Sequence, residues 1–321
     1  MRWHMLLGLL PWLCAAGQSG TAVQAVAADR AWEAERLHTA ARLDVAAREY
    51  AESIPKLTEA FGEAGARTLV AMNNLAAALL ELNRPGEAET LLRDALDRRQ
   101  RAGLAEDSTL AITWANLAEA FLASGKAGAA IVQHEKALEL KRRLFPSADP
   151  EIAASLNGLG EALRQNGACT RARKLLDEAV ALWSAPAKGH SGAAALPLMP
   201  GFGQAQNSLG LLHDTEGRHG DAERAFLAAL ETSTAAYGAR SEFTATIEFN
   251  LAGHYARRSD WKRADAHCRR ALQVFELQPA HRDDRLGLAL TLHGTILDKM
   301  RGHKEEARAQ RRRASTIRAL R

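Results

Sequence analysis

The sequence predicts an all-α protein built as a solenoid of antiparallel helix pairs. Three observations carry this. Alanine, leucine, arginine and glutamate dominate, with nine prolines and 5% aromatic residues in 321, a composition that favours helix and leaves small side chains for close helix contacts. Two columns of six alanines recur at a nearly constant interval. A column of leucines, each followed four positions on by another large residue, gives an apolar stripe with helical spacing.

In chain order, residues 1–27 have the layout of a secretory signal peptide. Arg2 precedes an apolar run from Met5 to Ala16, and small residues place cleavage after Ala25 or Ala27. The run is about twelve residues, short of the ~20 that span a bilayer. Trp12 and Leu13 ahead of Cys14 do not match a lipoprotein signal. The expectation is an exported protein, periplasmic or extracellular, that does not span a membrane. The alternative is an apolar cap helix on a cytoplasmic protein.

Residues 28–65 read as a degenerate N-terminal capping repeat. Ala46 holds the first alanine column, Ser53 holds the second, and Pro55 is expected to interrupt the second helix. Terminal repeats differ from the rest because one face meets water.

Residues 66–183 carry repeats two to four, and residues 205–321 carry repeats five to seven. Their turns start at Asn83, Gly125, Gly167, Gly217, Ser259 and Gly302, at spacings of 42, 42, 50, 42 and 43. Five positions after each start stand Ala88, Ala130, Ala172, Ala222, Ala264 and Ala307; twelve after stand Ala95, Ala137, Ala179, Ala229, Ala271 and Ala314. Upstream lie Leu75, Leu117, Leu159, Leu209 and Leu251, each followed by alanine or glycine. Leu79, Phe121, Leu163 and Tyr255 continue the stripe, and His213 fills that column once. Neither helix of a unit can bury its face alone, so the units must stack. The long interval comes from residues 184–204, rich in proline and glycine, which read as an inter-repeat loop. Within it, Leu196, Leu198, Met199 and Phe202 form a candidate apolar finger. The last unit places Gly294 or His293 in the leucine column and Arg311 on the inner face of its second helix, as a polar C-terminal cap.

The large–small pairing in the first helix, the turn glycine and the two second-helix alanines resemble tetratricopeptide repeats. The 42-residue period is similar to the kinesin-light-chain variety. The connector KRRLFPSADPEIAASLNGLGEAL (141–163) follows the same pattern of basic helix end, loop and acidic-Pro start. Asp149 is expected as a helix N-cap and Pro150 at the first helical position. The resemblance implies a right-handed superhelix whose concave surface, lined by first helices, holds an extended peptide or a partner's helix.

On that surface the residue before each column leucine reads Asn74, Asn116, Gly158, Ser208, Asn250 and His293, and Asn157 and Asn207 stand one position earlier where asparagine is missing. An amide offers two donors and two acceptor sites, so spaced amides can grip a guest main chain without reading its side chains. The same amides can instead bond to neighbouring first helices. Glu119 and Glu161 add an acidic patch, and Gln204 and Arg257 lie further along. The lysines that resembling chaperone-adaptor domains use to clamp a C-terminal carboxylate are missing.

No catalytic constellation is legible. There is no HExxH or CxxC, and neither His213 with His219 nor His254 with His267 has the i, i+4 spacing of paired ligands. Gly158-Leu159-Gly160 lies within a predicted helix, and Gly189-His190-Ser191-Gly192 lacks the last glycine of a nucleophile elbow. Cys169 and Cys268 are two repeats apart, beyond the ~7 Å Cα reach of a disulfide. A non-catalytic scaffold for a protein or peptide follows, with no cofactor, metal or small-molecule substrate expected. The alternative is an adaptor docking on lipid, acidic protein or nucleic acid through its C-terminal helix, where eight basic residues face Glu305 and Glu306. Export disfavours nucleic acid.

Overall fold

A computed structural model describes residues 43–184, 200–277 and 285–319. The signal-like segment, the first helix of the degenerate repeat and most of the apolar finger lie outside them. The described residues form thirteen helices and no strand, an all-α helical-repeat solenoid.

They divide into two units. The first, through Ala168, holds α1 (Leu43–Phe61), α2 (Ala66–Glu81), α3 (Pro85–Arg101), α4 (Ser108–Ala123), α5 (Ala127–Leu144) and α6 (Pro150–Gln165). The second, from Cys169, holds α7 (Cys169–Ser184), α8 (Pro200–Thr215), α9 (His219–Tyr237), α10 (Glu242–Arg257), α11 (Trp261–Phe275), α12 (Arg285–Lys299) and α13 (Lys304–Ala319). Within each unit every helix packs on the next. The first helices α2, α4 and α6, and likewise α8, α10 and α12, also touch in sequence.

Steric demand explains the alanine columns. All twelve column alanines are buried, eleven at 0% exposure and Ala314 at 4%. At these points a second helix presents only a methyl group to its neighbours, enclosed by them, which allows a close approach. The five column leucines are buried beside Ala76, Ala118, Gly160, Gly210 and Ala252. A third inward position, nine after each turn start, carries Leu92, His134, Leu176, Phe226 and Cys268, all at 0%. Where it is bulky, a first-helix glycine yields space. A Cβ on Gly210 would sit 2.6 Å from the Phe226 ring, and one on Gly158 2.7 Å from His134.

The turns share one geometry. All six turn starts have positive φ, from 59° at Asn83 to 86° at Gly302. In five of them the following amide donates back to the stripe residue: Arg84 to Leu79, Lys126 to Phe121, Ala168 to Leu163, Arg218 to His213 and Asp260 to Tyr255, at 2.8–3.0 Å. This is the Schellman closure of a helix end. Between repeats, side chains cap the next helix: Asp107 accepts from the Leu110 amide, Asp149 from Glu151 and Ser241 from Thr244. Pro150 stands at the first helical position of α6.

Three local expectations are corrected. Pro55 does not interrupt α1, which runs through it. Burial of Tyr50, Ser53 and Leu57 anchors both sides, and Ala51, whose carbonyl loses a partner to the proline, is exposed to water. The loop of residues 184–204 ends earlier, because α8 begins at Pro200 and takes in Phe202 and Gln204. Gly201 and Gly203 are packing residues there: a Cβ would meet Trp183 at 2.2 Å or Thr232 at 3.3 Å. In the last unit Met300 adds one residue before the turn, so by helix register the buried His293 takes the leucine place and Gly294 the small one. Arg311 is exposed; its stem crosses Gly294 and its guanidinium pairs with Asp298.

Ser259 is the one turn start that is neither glycine nor asparagine, and a side chain there opposes the left-handed backbone by about 1–2 kcal/mol. Ser259→Gly is expected to raise unfolding free energy by about 0.5–1 kcal/mol, read from urea denaturation. Gly210→Ala should lower it by about 1–3 kcal/mol through overpacking against Phe226.

Candidate functional site

In the first unit the asparagines separate by register. Asn73, ten residues before its turn start, donates from Nδ2 to the Leu69 carbonyl at 3.1 Å and to Thr113 Oγ1 of α4 at 3.0 Å. Asn74 and Asn116, nine before theirs, are 8% and 6% exposed, and neither amide has a hydrogen bond to the described residues. Asn157 Oδ1 is buried without a partner among them. Gly158 interrupts the column because the His134 ring lies against it. Glu161 is already matched on its own helix, receiving Arg164 at 2.7 and 2.9 Å and Gln165 at 2.8 Å. Glu119 stands 3.6 Å from His134 Nε2.

In the second unit the amides meet each other. Asn250 Nδ2 on α10 donates to Asn207 Oδ1 on α8 at 2.8 Å. Asn207 and Ser208 are buried, and Gln204 is half-buried. Arg257 projects to solvent and pairs with the buried Asp214. Asp214 also touches His254, and neither was singled out by sequence spacing. They lie 40 residues apart, but each stands within five residues of its turn start, so aligned repeat registers place both at one end of adjacent first helices.

The period, the alanine columns and the Schellman turns decide the family. The tetratricopeptide repeat matches residues 66–143, 108–185 and 202–276, more than half of the chain. It belongs to the tetratricopeptide repeat family. Among solved structures, this tetratricopeptide repeat protein is similar to a putative kinesin light chain of Podosopora anserina with nearly identical TPR-like repeats. That match has 20% identity and a TM-score of 0.50, covering 64% of this chain and 94% of the other. It is also similar to NprR in complex with its cognate peptide NprX (12% identity, TM-score 0.65, 92% and 87% covered). A Rap protein complexed with competence and sporulation factor matches at 14% identity, with a TM-score of 0.59 and 92% and 78% covered. At these identities the likeness is one of fold. No curated protein matches the sequence. Among the described residues no helix is long and apolar enough to cross a membrane.

Two buried groups belong to the repeat core rather than to a face. Cys268 and Cys169 are free thiols, and burial pushes the Cys268 thiol up to about 12. His134 is fully enclosed, with no hydrogen bond to either ring nitrogen. Burial, reinforced by Lys141, lowers its pKa to about 3. The unfolded chain therefore binds a proton that the folded repeat refuses, and stability falls as pH drops from about 6.5 towards 3. The slope in that window is ~1.4 kcal/mol per pH unit. His134→Leu, the residue found at the equivalent Leu92 and Leu176, should remove this contribution. Urea unfolding at pH 7 and pH 5 is expected to show about 2 kcal/mol less acid loss in the variant.

Proposed function

We propose that the protein is a non-catalytic scaffold that holds an extended peptide or a partner's helix on its first-helix face, centred on α2, α4 and α6. The observation that supports this most is the split between the two asparagine registers. Asn73 is engaged in stacking, whereas Asn74 and Asn116 carry amides with no hydrogen bond to the described residues. An amide so placed, close to the surface and unpaired, gains most from a guest main chain. Membership of the family and the fold it shares with the peptide-bound NprR and the complexed Rap protein point the same way. Glu119 extends the face, and Asn157, which stands in Asn73's register but has its Oδ1 without a partner among the described residues, is a candidate contact beside it. In the second unit the Asn207–Asn250 pair serves first-helix stacking, and Gln204 and Arg257 are candidate rim contacts. The layout of residues 1–27 supports export, with the partner met in the cell envelope or outside it.

The adaptor reading is the weaker one. On α13, Arg311 pairs with Asp298 and Arg313 with Glu276, which reduces the charge left for an anionic surface. Removal of residues 301–321 would also strip the buried Ala307 and Ala314 from the core, so charge reversal at Arg308 and Arg312 is the cleaner test.

Two variants separate contact from stacking. Asn74→Ala with Asn116→Ala is expected to abolish partner capture while shifting unfolding free energy by less than about 0.5 kcal/mol. Asn250→Ala leaves the buried Asn207 carbonyl unpaired and should cost about 1–3 kcal/mol. Pull-down and denaturation on the same preparations check both. Retained capture by the double variant, or its loss on Arg308→Glu with Arg312→Glu, overturns the groove reading.

A further inference from the structure

We propose that Asp214, His219 and His254 form a site for one divalent transition metal of the zinc class. The three come from successive helices, α8, α9 and α10, all within the second unit. Asp214 Oδ1 lies 2.9 Å from His254 Nδ1 and 3.4 Å from His219 Nδ1. One donor atom from each residue falls within 4.8 Å of the others. Two ligands about 2.0–2.1 Å from a tetrahedral zinc ion stand about 3.3 Å from each other. The two edges from Asp214, 2.9 and 3.4 Å, lie within about half an ångström of that length, and the third, between the two imidazoles, is no longer than 4.8 Å, within reach of a small side-chain adjustment.

The donor set selects the ion. Two imidazoles and one carboxylate suit Zn²⁺, Co²⁺, Ni²⁺ or Cu²⁺, whereas Mg²⁺ and Ca²⁺ require oxygen ligands. Arg257 pairs with Asp214 Oδ2, which orients the carboxylate and leaves Oδ1 for the ion. Outer partners of this kind fix ligating carboxylates in metal sites. Without an ion, Asp214 Oδ1 accepts from His254 Nδ1–H, so binding must release that proton; His254 Nε2 has no partner among the described residues and is free to carry the ring's remaining proton once Nδ1 ligates. Asp214 and His254 are buried, while the His219 side chain is 44% exposed. The ion thus has a route in, and water can fill the remaining coordination position. It would clamp the ends of two first helices to the start of α9. The site uses neither Asn74 nor Asn116, and shares with the proposed peptide face only Arg257, whose pairing with Asp214 here orients the ligating carboxylate.

Tag-free full-length protein, stripped with a chelator, is titrated with Co²⁺ and then Zn²⁺ against a chromophoric competitor. One Co²⁺ per chain is expected, with visible d–d bands of a low-coordinate site, displaced by Zn²⁺ and not by excess Mg²⁺. His219→Ala, at an exposed helix start, should fold normally and weaken binding at least tenfold. Asp214→Asn, checked for folding by circular dichroism, should do the same. His303→Ala, in a different repeat, should leave affinity unchanged. Absence of stoichiometric binding by the wild type, or equal affinity in His219→Ala, overturns the proposal, as does equal loss in His303→Ala.

Discussion

Every repeat depends on how closely a second helix can approach the helices beside it. The alanine columns set that distance, because a side chain of one methyl group, enclosed by its neighbours, is the smallest spacer a chiral residue offers between helices. Once the distance is set, the remaining inward positions adjust by exchange of volume. Phe226 is accepted because Gly210 lacks a side chain, His134 because Gly158 does, and the stem of Arg311 because Gly294 does. Bulk moves from one helix to the other while the spacing is kept.

That constraint also shapes what a partner could reach. First helices are flanked by neighbours on several sides, so in α2, α4 and α6 few side chains are exposed. Polar residues on them face either the next first helix or the narrow strip between helices. A shift of one residue turns a side chain by about 100° around the axis. Asn73 and Asn207, in the earlier register, bond to the adjacent first helix. Asn74 and Asn116, one residue later, are buried but not fully enclosed, and their amides have no hydrogen bond to the described residues. Asn250 shares their register but is drawn into a stacking bond by Asn207. The same residue type in the same motif is therefore bonded to a neighbouring first helix in one register and left unbonded in the other where no partner stands opposite.

Much of the fold was legible because its determinants are local and repeated. A left-handed turn position followed at fixed distances by two alanines can be read from a single chain, and the six turn starts do have positive φ. Departures arose where tertiary context outweighs local signals. Pro55 suggested a broken helix, but buried side chains on both sides hold α1 together. Gly201 and Gly203 suggested a loop, yet they exist to admit Trp183 and Thr232. The encounter of Asp214 with His254 joins residues 40 apart and is visible only when repeats are superposed on their turns. Which asparagines are engaged was equally out of reach, since it depends on what the neighbouring helix offers at the same height: a threonine at Thr113, an asparagine at Asn250.

The central claim is that a guest lies along the first helices. Site-specific photocrosslinking tests it most directly, with a benzophenone amino acid placed at Glu119 on α4, at Arg93 on the exposed side of α3, or at Arg312 on α13. The partner is expected to crosslink from position 119 and not from 93 or 312. Crosslinking confined to position 93 or 312 would contradict the account.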